Sequence, residues 1–259
     1  MKMENSVLLS KRAGIDAHAK ETLLSAKGAK TGDDMKGKTN DWQRMINGRL
    51  YNATSWDVNV KHALGMFRCE RYNKCSVVNQ PRKRRLLAKL IPSSKGKNTW
   101  AFSPFYCEYG VNIHVGKDVF FNYGCTLLDI SPITLEDGVW LGANVTLATP
   151  CHPLIAEERV NRNYPDGYHD LEYSKPITIK ENAWIASGVI VCGGVTIGKN
   201  SVIGAGSVVT RDIPDGVIAM GVPARVVRKI DENDRINVWQ TYINDELPLS
   251  PNDKAKLAK

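Results

Sequence analysis

From residue 115 onward the chain places an aliphatic or aromatic side chain at every sixth position. These are Val115, Phe121 and Leu127, then Leu135, Leu141 and Leu147, then Ile179, Ile185 and Val191, and finally Ile197, Ile203 and Val209. Small or β-branched residues follow four places later: Val119, Cys125, Val139, Val145, Cys151, Ala183, Val189, Val195, Ser201 and Ser207. Glycine often stands directly after the repeat residue, at 116, 142, 198 and 204. A period of six fits neither a 3.6-residue helix nor a hairpin ladder. It predicts a parallel β-helix of triangular section. Each side is one short strand, each corner a turn that Gly or Asn enters at positive φ, and the repeat side chains stack inside. Two interruptions break the period: two additional residues near 130–132, and a long excursion over residues 151–176. Insertions in a solenoid go to its edge, where binding sites are found.

Ahead of the repeat the periodicity is helical. Trp42, Met45 and Ile46, then Val60, Leu64 and Phe67, recur at steps of three and four. They predict two helices broken around Asn52-Ala-Thr-Ser55, with Ser55 as an N-cap and Val60, Leu64 and Phe67 as an apolar stripe. A third helix is predicted over Gln80–Leu90, ending before Pro92. Residues 1–40 are polar, with few apolar clusters, and read as a mobile or weakly helical extension. The expected organisation is an extension (1–40), a helical segment (41–100), the β-helix (101–228) with its inserted loop (151–176), and a C-terminal helix and tail (229–259).

The 259 residues, 42% hydrophobic, suffice for one sizeable domain with an appendage. The formal charge of +8 is unevenly placed, +13 over residues 1–100 and −5 over the remainder. The densest basic run, Arg82-Lys-Arg-Arg85, leads at once into Leu86-Leu87 and lacks interleaved stacking aromatics, so a nucleic-acid partner is not expected. No stretch approaches membrane-spanning length, no signal-peptide core opens the chain, and a soluble cytoplasmic protein is expected. The six cysteines never reach a C-x-x-C spacing, which argues for reduced, mostly buried thiols and against a structural zinc site.

Several longer stretches are more specific: Tyr109-Gly-Val-Asn-Ile-His-Val-Gly116, Asn122-Tyr-Gly-Cys-Thr-Leu-Leu-Asp129, Thr149-Pro-Cys-His-Pro153, Leu171-Glu-Tyr-Ser-Lys-Pro176, and Asp212-Ile-Pro-Asp-Gly-Val-Ile-Ala-Met-Gly-Val-Pro-Ala-Arg225. In these the chain resembles the hexapeptide-repeat acyltransferases, and within them the maltose/galactoside O-acetyltransferase group. The resemblance implies a left-handed parallel β-helix, mainly β in class. It also implies a homotrimer with active sites between neighbouring subunits, and transfer of acetyl from acetyl-CoA to a sugar or glycoside hydroxyl with no metal required. Acyl transfer of this kind needs a base for the hydroxyl proton, and a histidine titrating near 6.5 suits that task.

By the resemblance that base is His152, at the foot of the excursion, acting in a ternary complex without an acetyl-enzyme. A base must be held in one tautomer, and Glu172 is the candidate carboxylate. Asn122 and Asp129 are implied acceptor-binding residues. Ser187, Ala205, Thr210, Arg211, Arg225 and Arg228 match the acetyl-CoA groove, the arginines suiting CoA phosphates. Trp184 lies beside that groove or at a trimer contact. Cys151, next to His152, falls on an inward hexad position and is expected to be buried and not a nucleophile. His114 reads as structural, and His169 at the excursion tip is left open. The chain departs from the group at Ile130, where a second acid is usual, and at Glu108, where serine precedes Tyr-Gly. The excursion is also longer, and adds Arg159, Arg162, Tyr164 and Tyr168 to a pocket wall. Two readings stay beside this one: an acetyltransferase for another hydroxylated small molecule such as an antibiotic, and a non-catalytic scaffold that binds no CoA.

Overall fold

A computed structural model describes residues 40–257; apart from Asn40, the predicted extension over residues 1–40 lies outside them. Helices α1 (Asp41–Ile46), α2 (Trp56–Asn73) and α3 (Gln80–Leu90) precede a parallel β-helix of three stacked sheets. The first face carries strands Ile113–Val115, Ile133–Leu135, Ile177–Ile179 and Thr196–Ile197. The second carries Trp100–Ala101, Phe120–Phe121, Trp140–Leu141, Trp184–Ile185, Val202–Ile203 and Val217–Gly221, and closes with the antiparallel strand Ala224–Lys229. The third carries Tyr106–Cys107, Thr126–Leu128, Thr146–Ala148, Ile190–Cys192 and Val208–Val209.

The six-residue period is the register of these sheets. Leu135 pairs with Val115 and Ile179, Leu141 with Phe121 and Ile185, and Leu147 with Leu127 and Val191. All twelve repeat side chains are at most 3% exposed. Each such burial is worth about 1.5–3 kcal/mol, so the column is the main stabilising element.

The corners are turned by Asn144, Asn182 and Asn200 and by Gly124, Gly138, Gly188 and Gly206, all at positive φ. The glycines that follow the repeat residues do different work. A Cβ on Gly142 would lie 2.6 Å from the Ser187 nitrogen, and one on Gly116 2.5 Å from the Asp137 nitrogen. Those positions are small because one coil rests directly on the next.

The helices supply a correction. In α2 the buried residues are Val58, Gly65, Cys69 and Tyr72, while Leu64 and Phe67 of the predicted stripe are exposed. Gly65 is the reason: a Cβ there would stand 2.3 Å from the Glu108 carbonyl oxygen, so this bare face is the one that rests on the first coil. Ser55 holds the N-cap position, but its hydroxyl donates to Asp57 Oδ1 (2.9 Å) and caps no backbone group. Helix α3 matches its predicted limits and buries Leu86, Leu87 and Leu90. The basic run on it is divided. Lys83 is buried, donating to Ser103 Oγ (2.6 Å) over the Tyr72 ring, and Arg84 stacks on Trp100. A satellite core of Met45, Tyr51, Val58, Tyr109 and Ile130, with Trp42 against it, joins the helical segment to the first coil. Among the described residues no helix is long and apolar enough to cross a membrane.

Candidate active site

The second coil ends in strand Pro150–Cys151, from which the chain departs through helix α4 (Ala156–Arg159) and a hairpin of Arg162–Tyr164 with Gly167–His169. It returns through Tyr173–Ser174, which pairs antiparallel with Pro150–Cys151. His169 knits the hairpin: its buried ring contacts Asp166 Oδ1 (3.0 Å) and the Asp170 carbonyl (2.8 Å) and stacks on Tyr164. Arg159 donates to the carbonyls of Pro153 and Leu154 within its own loop. Cys151 is partly exposed, contrary to expectation, because the chain leaves the repeat there and pairs with Tyr173. Its thiol is pushed up by burial, the opposite of an activated nucleophile. His114 is exposed on the first face.

His152 follows at once, its side chain 47% exposed, and Glu172 stands opposite at 19%. Their closest approach is 3.8 Å, from Nδ1 to Oε1. Asp170 joins them, and the donor atoms of His152, Asp170 and Glu172 all lie within 4.8 Å of one another. Glu172 is fixed by Tyr51, which sequence reasoning did not single out. The Tyr51 hydroxyl donates to Oε2 (2.9 Å), and the two residues exchange backbone hydrogen bonds of 3.0 and 3.1 Å. Burial, followed by the Glu172 charge, pushes the Tyr51 phenol far above its ordinary value, so it stays a donor. The end of α1, ahead of Tyr51, is held in turn by Ser174, whose hydroxyl donates to the Met45 carbonyl (2.9 Å).

The other predicted residues are dispersed. Asp129 is fully buried and accepts from the backbone nitrogens of Glu108 (3.0 Å), Tyr109 (2.9 Å) and Asn112 (3.3 Å). Its carboxylate is spent on the turn beneath the site. Asn122 lies at the corner between the second and third faces, with Oδ1 accepting from the Tyr123 nitrogen (2.8 Å). Ser187 and Ala205 are exposed on that same edge, where Gly206 donates to the Ser187 carbonyl (2.9 Å) and Gly142, Ala143, Ala186 and Gly204 leave little side chain. Thr210 and Arg211 are exposed at the opposite edge of the third face, the edge that the His152 excursion leaves. Arg225 projects from the closing hairpin, and Arg228 makes a two-pronged ion pair with Asp234 (2.7 Å each). One protomer therefore assembles His152 with Glu172, Asp170 and Tyr51, and separately Asn122 with Ser187 and Ala205.

A stack of hexapeptide coils, interrupted once by a loop carrying a histidine beside a carboxylate, defines a hexapeptide-repeat transferase. Two family profiles match, the bacterial transferase hexapeptide (six repeats) over residues 176–211 and the hexapeptide repeat of succinyl-transferase over residues 112–148. The chain is similar to a galactoside O-acetyltransferase of Escherichia coli K12, 38% identical over 200 residues that span 77% of this chain and 94% of that one. A maltose O-acetyltransferase from Clostridium difficile 630 superposes with a TM-score of 0.69 at 36% identity, covering 75% of this chain and 99% of that one. A galactoside acetyltransferase in complex with coenzyme A gives 0.69 at 36%, covering 76% and 94%. The chain belongs to the hexapeptide-repeat acetyltransferases, in the galactoside and maltose O-acetyltransferase group.

Proposed function

We propose that the protein transfers acetyl from acetyl-CoA to a hydroxyl of a sugar or glycoside, with His152 as general base in a ternary complex. The observation that carries this is the orientation of His152: Nδ1 faces Glu172, itself tied to Tyr51, so Nε2 is the nitrogen left for substrate. Nε2 takes the proton as the hydroxyl oxygen attacks the thioester carbonyl. The tetrahedral oxyanion then collapses, the C–S bond breaks, and the imidazolium returns the proton to the departing thiolate. Glu172 favours the Nδ1–H tautomer and the imidazolium that forms. The small-residue edge at Ser187 and Ala205 suits the pantetheine arm, and the Ser187 backbone N–H is the candidate oxyanion donor. Arg211 and Arg225 are exposed and suit CoA phosphates.

The same reading requires more than one protomer. His152 and Asn122 lie on opposite edges of the third face, so a cleft holding both is formed when the edge of one subunit meets the other edge of the next. The outward row on the second face supports such an assembly, for Trp140 is 57% and Trp184 51% exposed beside Phe120. Large contiguous apolar surface of this kind marks an interface, and a homotrimer closes it by threefold symmetry. All six cysteines are free, which fits a reducing, cytoplasmic setting.

The test is thiol release from acetyl-CoA over a panel of glycosides, hydroxylated antibiotics and serine. Wild type should acetylate a glycoside, and His152→Ala should lower turnover by roughly 10²–10⁴-fold while still binding acetyl-CoA. Transfer that survives the substitution would remove His152 from the chemistry. An absence of any acetyl-CoA binding would favour the scaffold reading.

A further inference from the structure

A cavity of about 150 Å³ opens between α3, the end of α2 and the stretch from Thr99 to Ser103. It shares no residue with the cluster of His152, Asp170, Glu172 and Tyr51. The buried part of its wall is apolar at Tyr72, Leu87 and Ala101 and polar at Lys83 and Thr99. Val77, Arg84 and Tyr123 form an exposed rim.

Lys83 is 6% exposed, yet among the described residues no carboxylate pairs with it. Its ammonium donates to Ser103 Oγ (2.6 Å) and, at the limit of reach, to the Cys75 carbonyl (3.5 Å), and stands 4.5 Å from the centre of the Tyr72 ring. Burial holds that ammonium below its ordinary value, as for a cation that neutral groups surround. Arg84 brings a second cation, its guanidinium 4.4 Å from the centre of the Trp100 ring. Thr99 is 7% exposed, and its buried hydroxyl has no hydrogen-bond partner among the described residues. No acidic side chain lines the cavity. A lone buried charge and an unanswered buried hydroxyl are each costly, and here both border one open space.

We propose that this cavity is a binding site for a small monocarboxylate with an apolar body of about benzoate size. The carboxylate supplies the counter-ion that Lys83 lacks and accepts from the Thr99 hydroxyl. The body lies against Tyr72, Leu87 and Ala101, in a space of the volume that admits benzene in an engineered apolar cavity elsewhere. Arg84 at the rim attracts the anion on approach. Inorganic phosphate gains nothing from the apolar wall, and a neutral ring leaves both polar groups unanswered, so charge and body are selected together. The site does not depend on the acetyl-transfer reading.

The experiment titrates the full-length protein, in its solution assembly, with benzoate, benzamide, benzylamine and inorganic phosphate by calorimetry. Benzoate should bind once per chain, about tenfold or more tighter than the other three, and saturating coenzyme A should leave its affinity unchanged. Lys83→Met should weaken benzoate by about tenfold or more and bring it level with benzamide. Arg85→Ala, on the same helix but outside the cavity wall, should stay within twofold. Thr99→Val gives an opposed pair of effects that a packing role does not: removal of a partnerless hydroxyl should raise the melting temperature of the free protein while benzoate binds about threefold or more weakly. That variant carries the test if Lys83→Met fails to fold. Equal affinity for benzoate and benzamide overturns the proposal by reducing the site to an apolar cavity. Displacement of benzoate by coenzyme A overturns it by placing the anion in the donor groove. So does benzoate affinity within twofold of wild type in Thr99→Val and in a folded Lys83→Met, or no benzoate binding at about 10 mM, where even a millimolar site is filled.

Discussion

Tyr51 and Glu172, 121 residues apart, are joined by three hydrogen bonds, one from the phenol to the carboxylate and two between their backbones. The backbone pair places the residue, and the phenol orients the carboxylate toward His152. Tyr51→Phe removes only the second of these. Hydrogen bonds to charged groups are worth about 1.5–3 kcal/mol, so kcat is expected to fall by about tenfold or more, with KM for acetyl-CoA and the circular dichroism spectrum unchanged. Wild-type turnover in this variant would show that the backbone bridge alone suffices.

Asp129 is expected to matter for folding before it matters for substrate. Asp129→Ala leaves three buried backbone N–H groups without their acceptor, each costing about 1–3 kcal/mol, and a urea titration should show a large fall in midpoint. There is a pH signature as well. Burial pushes the carboxyl up to about 7, against the pull of its backbone bonds. A raised folded-state value means stability fully present below the ordinary carboxylate range near 4 and lost as pH rises through about 7. Comparing melting temperatures of wild type and Asp129→Ala from pH 4 to 8 isolates that slope, and parallel curves would refute it.

The aromatic row on the second face predicts assembly. Trp140→Glu with Trp184→Glu places two charges in the middle of the row, and the mass by light scattering should drop from trimer to monomer with loss of transfer. A monomeric wild type would end the shared-cleft reading, since His152 and Asn122 would then have no means of meeting.

Two arginines proposed for the donor groove should behave differently. Arg211 is exposed and makes no hydrogen bond within the described structure, so Arg211→Ala should raise KM for acetyl-CoA about tenfold. Arg228 is committed to Asp234, which also accepts from Asn252 of α5 (Pro251–Leu257). Arg228→Ala and Asp234→Ala should both speed proteolysis beyond residue 230 while leaving that KM within twofold. A strong KM effect from Arg228→Ala alone would return the residue to the phosphate site.

His62 offers a second pH test. Its hydrogen bond to Glu108 raises its folded-state value, so the pair's small contribution to stability is complete below about 6.5 and is lost as pH rises through the elevated value. The carbon-bound ring protons of His62 should titrate above those of a free histidine by NMR and return to the ordinary range in Glu108→Gln. A titration unchanged by that substitution would mean the pair does not form in solution.

The period of six sufficed to specify the coils, their inward column and the place of the interrupting loop, because a solenoid repeats one local rule and its long-range neighbours are set by sequence spacing. His152 and Glu172 were legible for the related reason that both lie in short stretches shared with a known family. Where contacts depend on how separate elements rest on one another, sequence was silent or misleading. Leu64 and Phe67 look like a buried stripe, yet the absent side chain of Gly65 turns α2 the other way. Cys151 keeps the hexad position while its strand leaves the coil. Asp129, named from sequence as an acceptor-binding candidate, turns out to be buried and to accept from three backbone nitrogens, which no sequence signal indicated. Tyr51 shows its role only once a loop more than a hundred residues later is laid against it. Local periodicity thus determined the β-helix and the place of the excursion that carries His152, while tertiary packing decided which polar groups are buried and which are left exposed around it, because burial and hydrogen-bond partners are properties of surfaces brought together and not of residues in a row.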